Sequence, residues 1–82
     1  MITGTQVRAA RALLKWAQWR LAKAANMSLR VLAKIEGSDH SPDASEVRLA
    51  TIRAALEAAG VEFIPENGGG AGVRLKKWDE TT

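Results

Sequence analysis

The sequence has no cysteine and a single histidine, His40. The first absence excludes a disulfide framework and a thiolate metal site. The second leaves no partner nitrogen to share a metal, so His40 is expected in a loop. No apolar run reaches the roughly 20 residues that a helix needs to cross a bilayer. No charged-then-apolar leader opens the sequence, and the expected location is the cytoplasm. Aromatic residues make up only 5% of the chain, which leaves no exposed aromatic pairs of the kind that stack single-stranded RNA bases. Carboxylates gather between Asp39 and Glu46 with no nucleophile, base and orienting group in evident relation, so no enzyme is expected. Gly68, Gly69, Gly70 and Gly72 are not followed by Lys-Ser/Thr, and a strand rather than a helix comes next. The phosphate-cradle pattern therefore fails, and these glycines read as a flexible hairpin tip. No cofactor, metal or small-molecule ligand is expected.

What is present is charge, unevenly placed. The 82 residues carry a formal net charge of +3. Residues 1–36 hold Arg8, Arg11, Lys15, Arg20, Lys23, Arg30 and Lys34 against one acid, Glu36. Residues 37–70 reverse the balance, with Arg48 and Arg53 against Asp39, Asp43, Glu46, Glu57, Glu62 and Glu66; Arg74, Lys76 and Lys77 against Asp79 and Glu80 complete the count. Such asymmetry suits one surface facing a polyanion while another meets protein; a merely solvated charged surface is the alternative reading. A chain of this length makes one small domain. Small domains bury a modest share of their surface, so a partner subunit is a useful source of stability.

Helical period and cap signals mark the elements. Thr3 and Gln6 have capping-box spacing before a first helix whose Val7, Ala10 and Leu14 face inward and whose Arg8 and Lys15 face outward. Gln18, Leu21, Ala22 and Ala25 carry a short second helix, and Asn26, which tolerates a left-handed backbone, stops it. Ser28 then caps a third helix, worth about 1 kcal/mol. At about 100° per residue, Val31, Leu32 and Ile35 share one side of that helix and Leu29, Arg30, Ala33 and Lys34 the other. Trp16 is expected in the core at the turn between the first two helices, and Gly37 ends the third. The fourth helix has two candidate starts: Ser41 with Pro42 at the first helical position, or Asp43 with Glu46 three residues on. Leu49, Ile52, Leu56 and Ala59 give it a core stripe that Gly60 terminates, and Val47, Thr51, Ala54 and Ala58 form a second stripe small enough to admit another helix. Beyond Gly60 the period changes to two and predicts a β-hairpin. A lone two-stranded ribbon is marginal in water. Its Val61, Phe63, Val73 and Leu75 face must therefore rest on the fourth helix, on the first, or on the same ribbon of a second subunit.

Two short helices joined by a tight turn, the second with basic and polar residues outward, form a unit suited to reading DNA. Over residues 4–60 the chain resembles the Xre/Cro/C1 type of helix-turn-helix regulator, at Arg11, Gln18, Leu21, Ala22, Ser28, Leu32, Ile35 and Glu36. It departs from that pattern where Lys15 and Asn26 replace the usual glycines, Ala17 replaces a capping Ser or Asn, and Trp19 replaces a polar residue. The resemblance implies an ion pair between Arg11 and Glu36 tying the first helix to the third. It also implies that Gln18, Lys23 and Ser28 hold the DNA backbone. Trp19 has two readings, an indole N–H donor to phosphate or a packed or simply exposed ring. In the reading helix, Arg30 has the reach for a bidentate contact to guanine, Leu29 for a thymine methyl, and Lys34 for guanine or phosphate, with Ala33 on the same face. A solvated cationic face is the bland alternative for Arg30 and Lys34.

The expected fold is mainly α, a lambda-repressor-like domain of four to five helices with a C-terminal β-hairpin. Residues 1–60 make the DNA-binding unit, residues 61–77 the hairpin as the dimerisation element together with the end of the fourth helix, and residues 78–82 a disordered tail. The expected partners are double-stranded DNA and a second copy of the chain, with no membrane, and the expected role is an autoregulating repressor. The rival is an antitoxin-type interaction module whose DNA binding is secondary.

Overall fold

The computed structural model describes residues 1–76, in the order α1 (Gly4–Leu14), α2 (Gln18–Ala24), α3 (Leu29–Gly37), α4 (Glu46–Ala58), β1 (Val61–Ile64) and β2 (Gly72–Leu75). The expected tail and the last hairpin residue, Lys77, lie outside the described residues.

α1 begins with the capping box: the Thr3 hydroxyl accepts from the Gln6 N–H at 3.2 Å, and the Gln6 side-chain oxygen accepts from the Thr3 N–H at 2.9 Å. Two helix ends use the same device. At α1 the Trp16 N–H reaches the Arg11 carbonyl, and at α2 the Met27 N–H reaches the Ala22 carbonyl, each closing around one left-handed residue. Those residues are Lys15, with φ 57°, and Asn26, with φ 52°. A lysine there lacks the local hydrogen bonding that eases asparagine into this conformation.

Val7, Ala10, Leu21, Leu32, Ile35, Ile52, Leu56 and Val61 are buried in one cluster that Ile2 and Phe63 extend. Leu14 and Trp16 are only partly buried at its margin. α1 crosses α3 at Gly4 so closely that a Cβ there would fall well inside contact distance of the Ile35 carbonyl oxygen and 3.3 Å from the Glu36 Cα.

Neither expected start of α4 is used. The helix begins at Glu46 with Ser45 as its cap, the Ser45 hydroxyl accepting from the Arg48 N–H at 3.2 Å. The earlier candidates are spent on turns instead. The Ser41 hydroxyl accepts from the Asp43 N–H at 3.2 Å, and the Ala44 N–H closes on the Ser41 carbonyl at 3.0 Å. Pro42 and Asp43 thus occupy the centre of a turn. Leu49, Ile52 and Leu56 form the buried stripe, whereas Ala59, its fourth expected member, is the half-buried residue just past the end of the helix.

The hairpin pairs Val61 with Leu75, Glu62 with Arg74, Phe63 with Val73 and Ile64 with Gly72. Its base is closed by the Lys76 N–H on the Gly60 carbonyl at 2.8 Å. α4 packs on β1 and α1 on β2, and the Gln6 amide donates to the Gly72 carbonyl at 3.1 Å. This corrects the expected subunit interface. Val61 and Phe63 are buried within the single chain and Val73 is half-buried, which leaves Leu75 alone of the four as exposed, at 47%. The ribbon escapes its marginal stability by resting on its own helices, so residues 61–76 share the core of residues 1–60.

Candidate nucleic-acid interface

α3 is divided along its length. Leu32, Ile35 and Glu36 are buried and Val31 half-buried, while Leu29, Arg30, Ala33 and Lys34 are exposed. The exposed residues span about 140° of the helix surface. The Ser28 hydroxyl caps this helix by accepting from the Val31 N–H at 3.1 Å. Leu29 is 48% exposed at its first position, where the core has no use for a leucine.

α2 contributes a second exposed strip. Trp19, 61% exposed, and Lys23 lie one turn apart on the side away from buried Leu21 and Ala22. The Trp19 ring is thus not packed against the first helix, and its indole is open to solvent. The neighbouring Arg20 instead places its guanidinium 4.8 Å from the centre of the Trp16 ring, a cation–π contact that holds Trp16 at the core margin.

The inner side of α3 is fixed by one carboxylate. Glu36 is 2% exposed, and its Oε2 accepts from Arg11 Nε at 2.7 Å while Oε1 accepts from Arg11 Nη2 at 2.8 Å. The implied ion pair is therefore present in its bidentate form, the stronger arrangement. Arg11 also donates to the Trp16 carbonyl at 2.9 Å, and Arg8 donates to the Glu36 carbonyl. The bond to Glu36, opposed by burial, pushes the Arg11 pKa further up, so this guanidinium stays charged. Gln18 has a contact that its expected role does not include: its Nε2 donates to Glu36 Oε1 at 3.0 Å, which commits one of its two N–H groups to the protein.

The electrostatic contrast between the halves is sharper than the sequence count. Among the described residues, the three arginines outside the α1–α3 unit have carboxylate partners, Arg48 with Asp43 at 3.7 Å, Arg53 with Glu57 at 3.2 Å and Arg74 with Glu62 at 3.1 Å, and Lys76 has none within 4.0 Å. Within the unit Arg11 consumes Glu36, and Arg8, Lys15, Arg20, Lys23, Arg30 and Lys34 have no carboxylate within 4.0 Å among the described residues. A surface of this kind attracts polyanions at long range.

The loop after α3 carries a tie that sequence reasoning missed. Asp39 Oδ1 accepts from the Thr5 N–H at 2.9 Å and from the Thr5 hydroxyl at 3.1 Å. A carboxylate thereby sits at the N-terminus of α1, where unpaired N–H groups favour negative charge. The Thr5 backbone bond holds the Asp39 carboxyl below its ordinary range. Gly4 and the Gln6–Gly72 bond were likewise missed, since each joins positions far apart in the chain.

No family model matches the chain, and no curated protein matches it.

Proposed function

We propose that this chain is a sequence-reading regulator of transcription of the Xre/Cro/C1 helix-turn-helix type, with a lambda-repressor-like fold. The carrying observation is the outer face of α3: Leu29, Arg30, Ala33 and Lys34 are exposed together, with no carboxylate against the two cations, on a helix whose opposite side is pinned. Rigid presentation of a reading surface is what base discrimination requires.

In this reading α3 enters the major groove. Arg30 pairs with the O6 and N7 edge of a guanine, Leu29 and Ala33 meet thymine methyls, and Lys34 takes a guanine or a phosphate. Lys23, Trp19, Ser28 and the free N–H of Gln18 hold the backbone, which positions the helix without reading sequence. The protein acts as a homodimer on a pseudo-palindrome whose half-sites lie about 34 Å apart. Exposed Leu75, and the α4 face carrying Val47 at 76% exposure, support contact between copies. No helix among the described residues is long and apolar enough to cross a membrane, and the proposed site of action is the cytoplasm, as a repressor of its own promoter.

The test is a competition assay. Labelled duplex from the chain's own upstream region is titrated with protein at fixed salt and challenged with unlabelled random duplex. The upstream duplex should bind at least about a thousandfold more tightly; equal displacement by both competitors overturns the proposal.

A further inference from the structure

We infer that Gln18 is a positioning residue for base reading: it acts on the reading surface through Glu36, rather than through the DNA backbone alone. This rests on the proposed entry of α3 into the major groove.

α2 begins at Gln18 with no side-chain cap, because the preceding Ala17 has nothing to offer the first turn. Of the side-chain bonds among the described residues, the one that joins α2 itself to α3 is Gln18 Nε2 to Glu36 Oε1 at 3.0 Å. Glu36 is otherwise held from α1, by Arg11 on both carboxylate oxygens and by Arg8 on its carbonyl. Two turns of α3 separate Glu36 from Leu29, and Lys34 and Ala33 lie between them. The carboxylate is thus a fixed point, and the amide sets how the start of α2 is spaced from it. Since α2 also presents Trp19 and Lys23 outward, Gln18 fixes the relation between the backbone-facing strip and the base-reading strip. A hydrogen bond to a charged acceptor in a nearly dry site is among the stronger neutral–ionic contacts. No buried side-chain polar atom among the described residues lacks a partner, so no idle buried donor stands ready to replace the Gln18 N–H on Glu36.

A residue touching only phosphate changes binding to every duplex alike, whereas one that sets the angle of the reading helix changes the ratio between the right and wrong duplex. The experiment is a double-mutant cycle on the full chain with Gln18→Met, which keeps the shape and removes the hydrogen bond, and Glu36→Gln. Two quantities are read: the ratio of upstream-duplex to random-duplex affinity, and the urea midpoint of the free protein. Gln18→Met should lower the affinity ratio about tenfold, and in the Glu36→Gln background it should lower it by less than about twofold, since the acceptor charge is already gone. Equal effects of Gln18→Met in both backgrounds overturn the inference, as does an equal loss on both duplexes. Coupling seen in the urea midpoint but absent from the affinity ratio also overturns it, and makes Gln18 a purely structural residue. A parent protein with a ratio of one fails the DNA reading itself and removes this inference with it; the urea cycle then still reports whether the amide and carboxylate interact.

Discussion

Gly4 and Gly37 are both helical glycines, yet substitution by alanine is expected to move stability in opposite directions. Intrinsic propensity favours alanine by up to about 1 kcal/mol at either position. At Gly37 nothing lies within 4 Å of a new Cβ, and its φ is not among the positive ones. Gly37→Ala should therefore stabilise by a few tenths to about 1 kcal/mol, discounted because Gly37 is the last helical residue. At Gly4 the new Cβ meets backbone: the Ile35 carbonyl oxygen inside contact distance, and the Glu36 Cα and carbonyl oxygen at 3.3 Å. Backbone held by the Arg11–Glu36 pair cannot swing aside as a side chain would, so α1 has to retreat and stretch the 2.7 and 2.8 Å bonds to Glu36. Overpacking costs about 1–3 kcal/mol, and a clash with fixed backbone falls in the upper part of that range; less a propensity gain of up to about 1 kcal/mol, Gly4→Ala is left roughly 1–2 kcal/mol less stable. In a domain of this size each kcal/mol moves Tm by about 4–8 °C, so circular-dichroism melts at equal concentration resolve both signs. A Gly4→Ala protein that melts at or above the parent refutes the close-approach argument.

Other expectations follow from the same contacts. Glu36→Ala should destabilise by up to about 3 kcal/mol, because it leaves the half-buried Arg11 guanidinium without the buried carboxylate that pairs it; a parental urea midpoint contradicts this. Arg30→Ala should cost about 1–3 kcal/mol in operator binding and relax preference at one base position, whereas Lys23→Ala should weaken all duplexes alike and reduce the salt slope by about 1. Base-by-base profiles and salt titrations separate the two, and an unchanged profile for Arg30→Ala removes its assignment. The Asp39 carboxyl is held below its ordinary 3.8 by the Thr5 bond, and Glu62 below its ordinary 4.5 by Arg74. A lowered folded-state pKa stabilises fully above the ordinary value and is lost as pH falls through the lowered one. Asp39→Asn keeps an acceptor for the Thr5 N–H but nothing to titrate, so its stability should fall less steeply below pH 4; parallel acid limbs contradict the assignment.

Local signals were legible and distant ones were not. Thr3 with Gln6, Ser28 before α3, and Asn26 after α2 act within one turn of the chain, so residue type and spacing sufficed. The two-sided pattern of α3 could be read the same way, since burial follows the helical period. The start of α4 failed because Ser41, Asp43 and Ser45 are all competent caps, and the choice fell to which of them the turn at Pro42 consumed. Val61 and Phe63 were identifiable as apolar, but whether they face their own helices or a second copy depends on how α1 and α4 converge. Gly4, Asp39 and the Gln18–Glu36 bond depend on pairs 18 to 34 positions apart. Their local sequence has no mark of the partner. The Arg11–Glu36 pair has the same long reach and was found only because the family resemblance supplied it.

If the outer side of α3 distinguishes bases, selection from a pool of random duplexes at fixed salt recovers the sequence it reads. The expected product is an inverted repeat with half-sites about one helical turn apart, with information lost at specific positions when Arg30 and Lys34 are both replaced by alanine. Recovered pools without a common sequence, or the same sequence from parent and double variant, would contradict it.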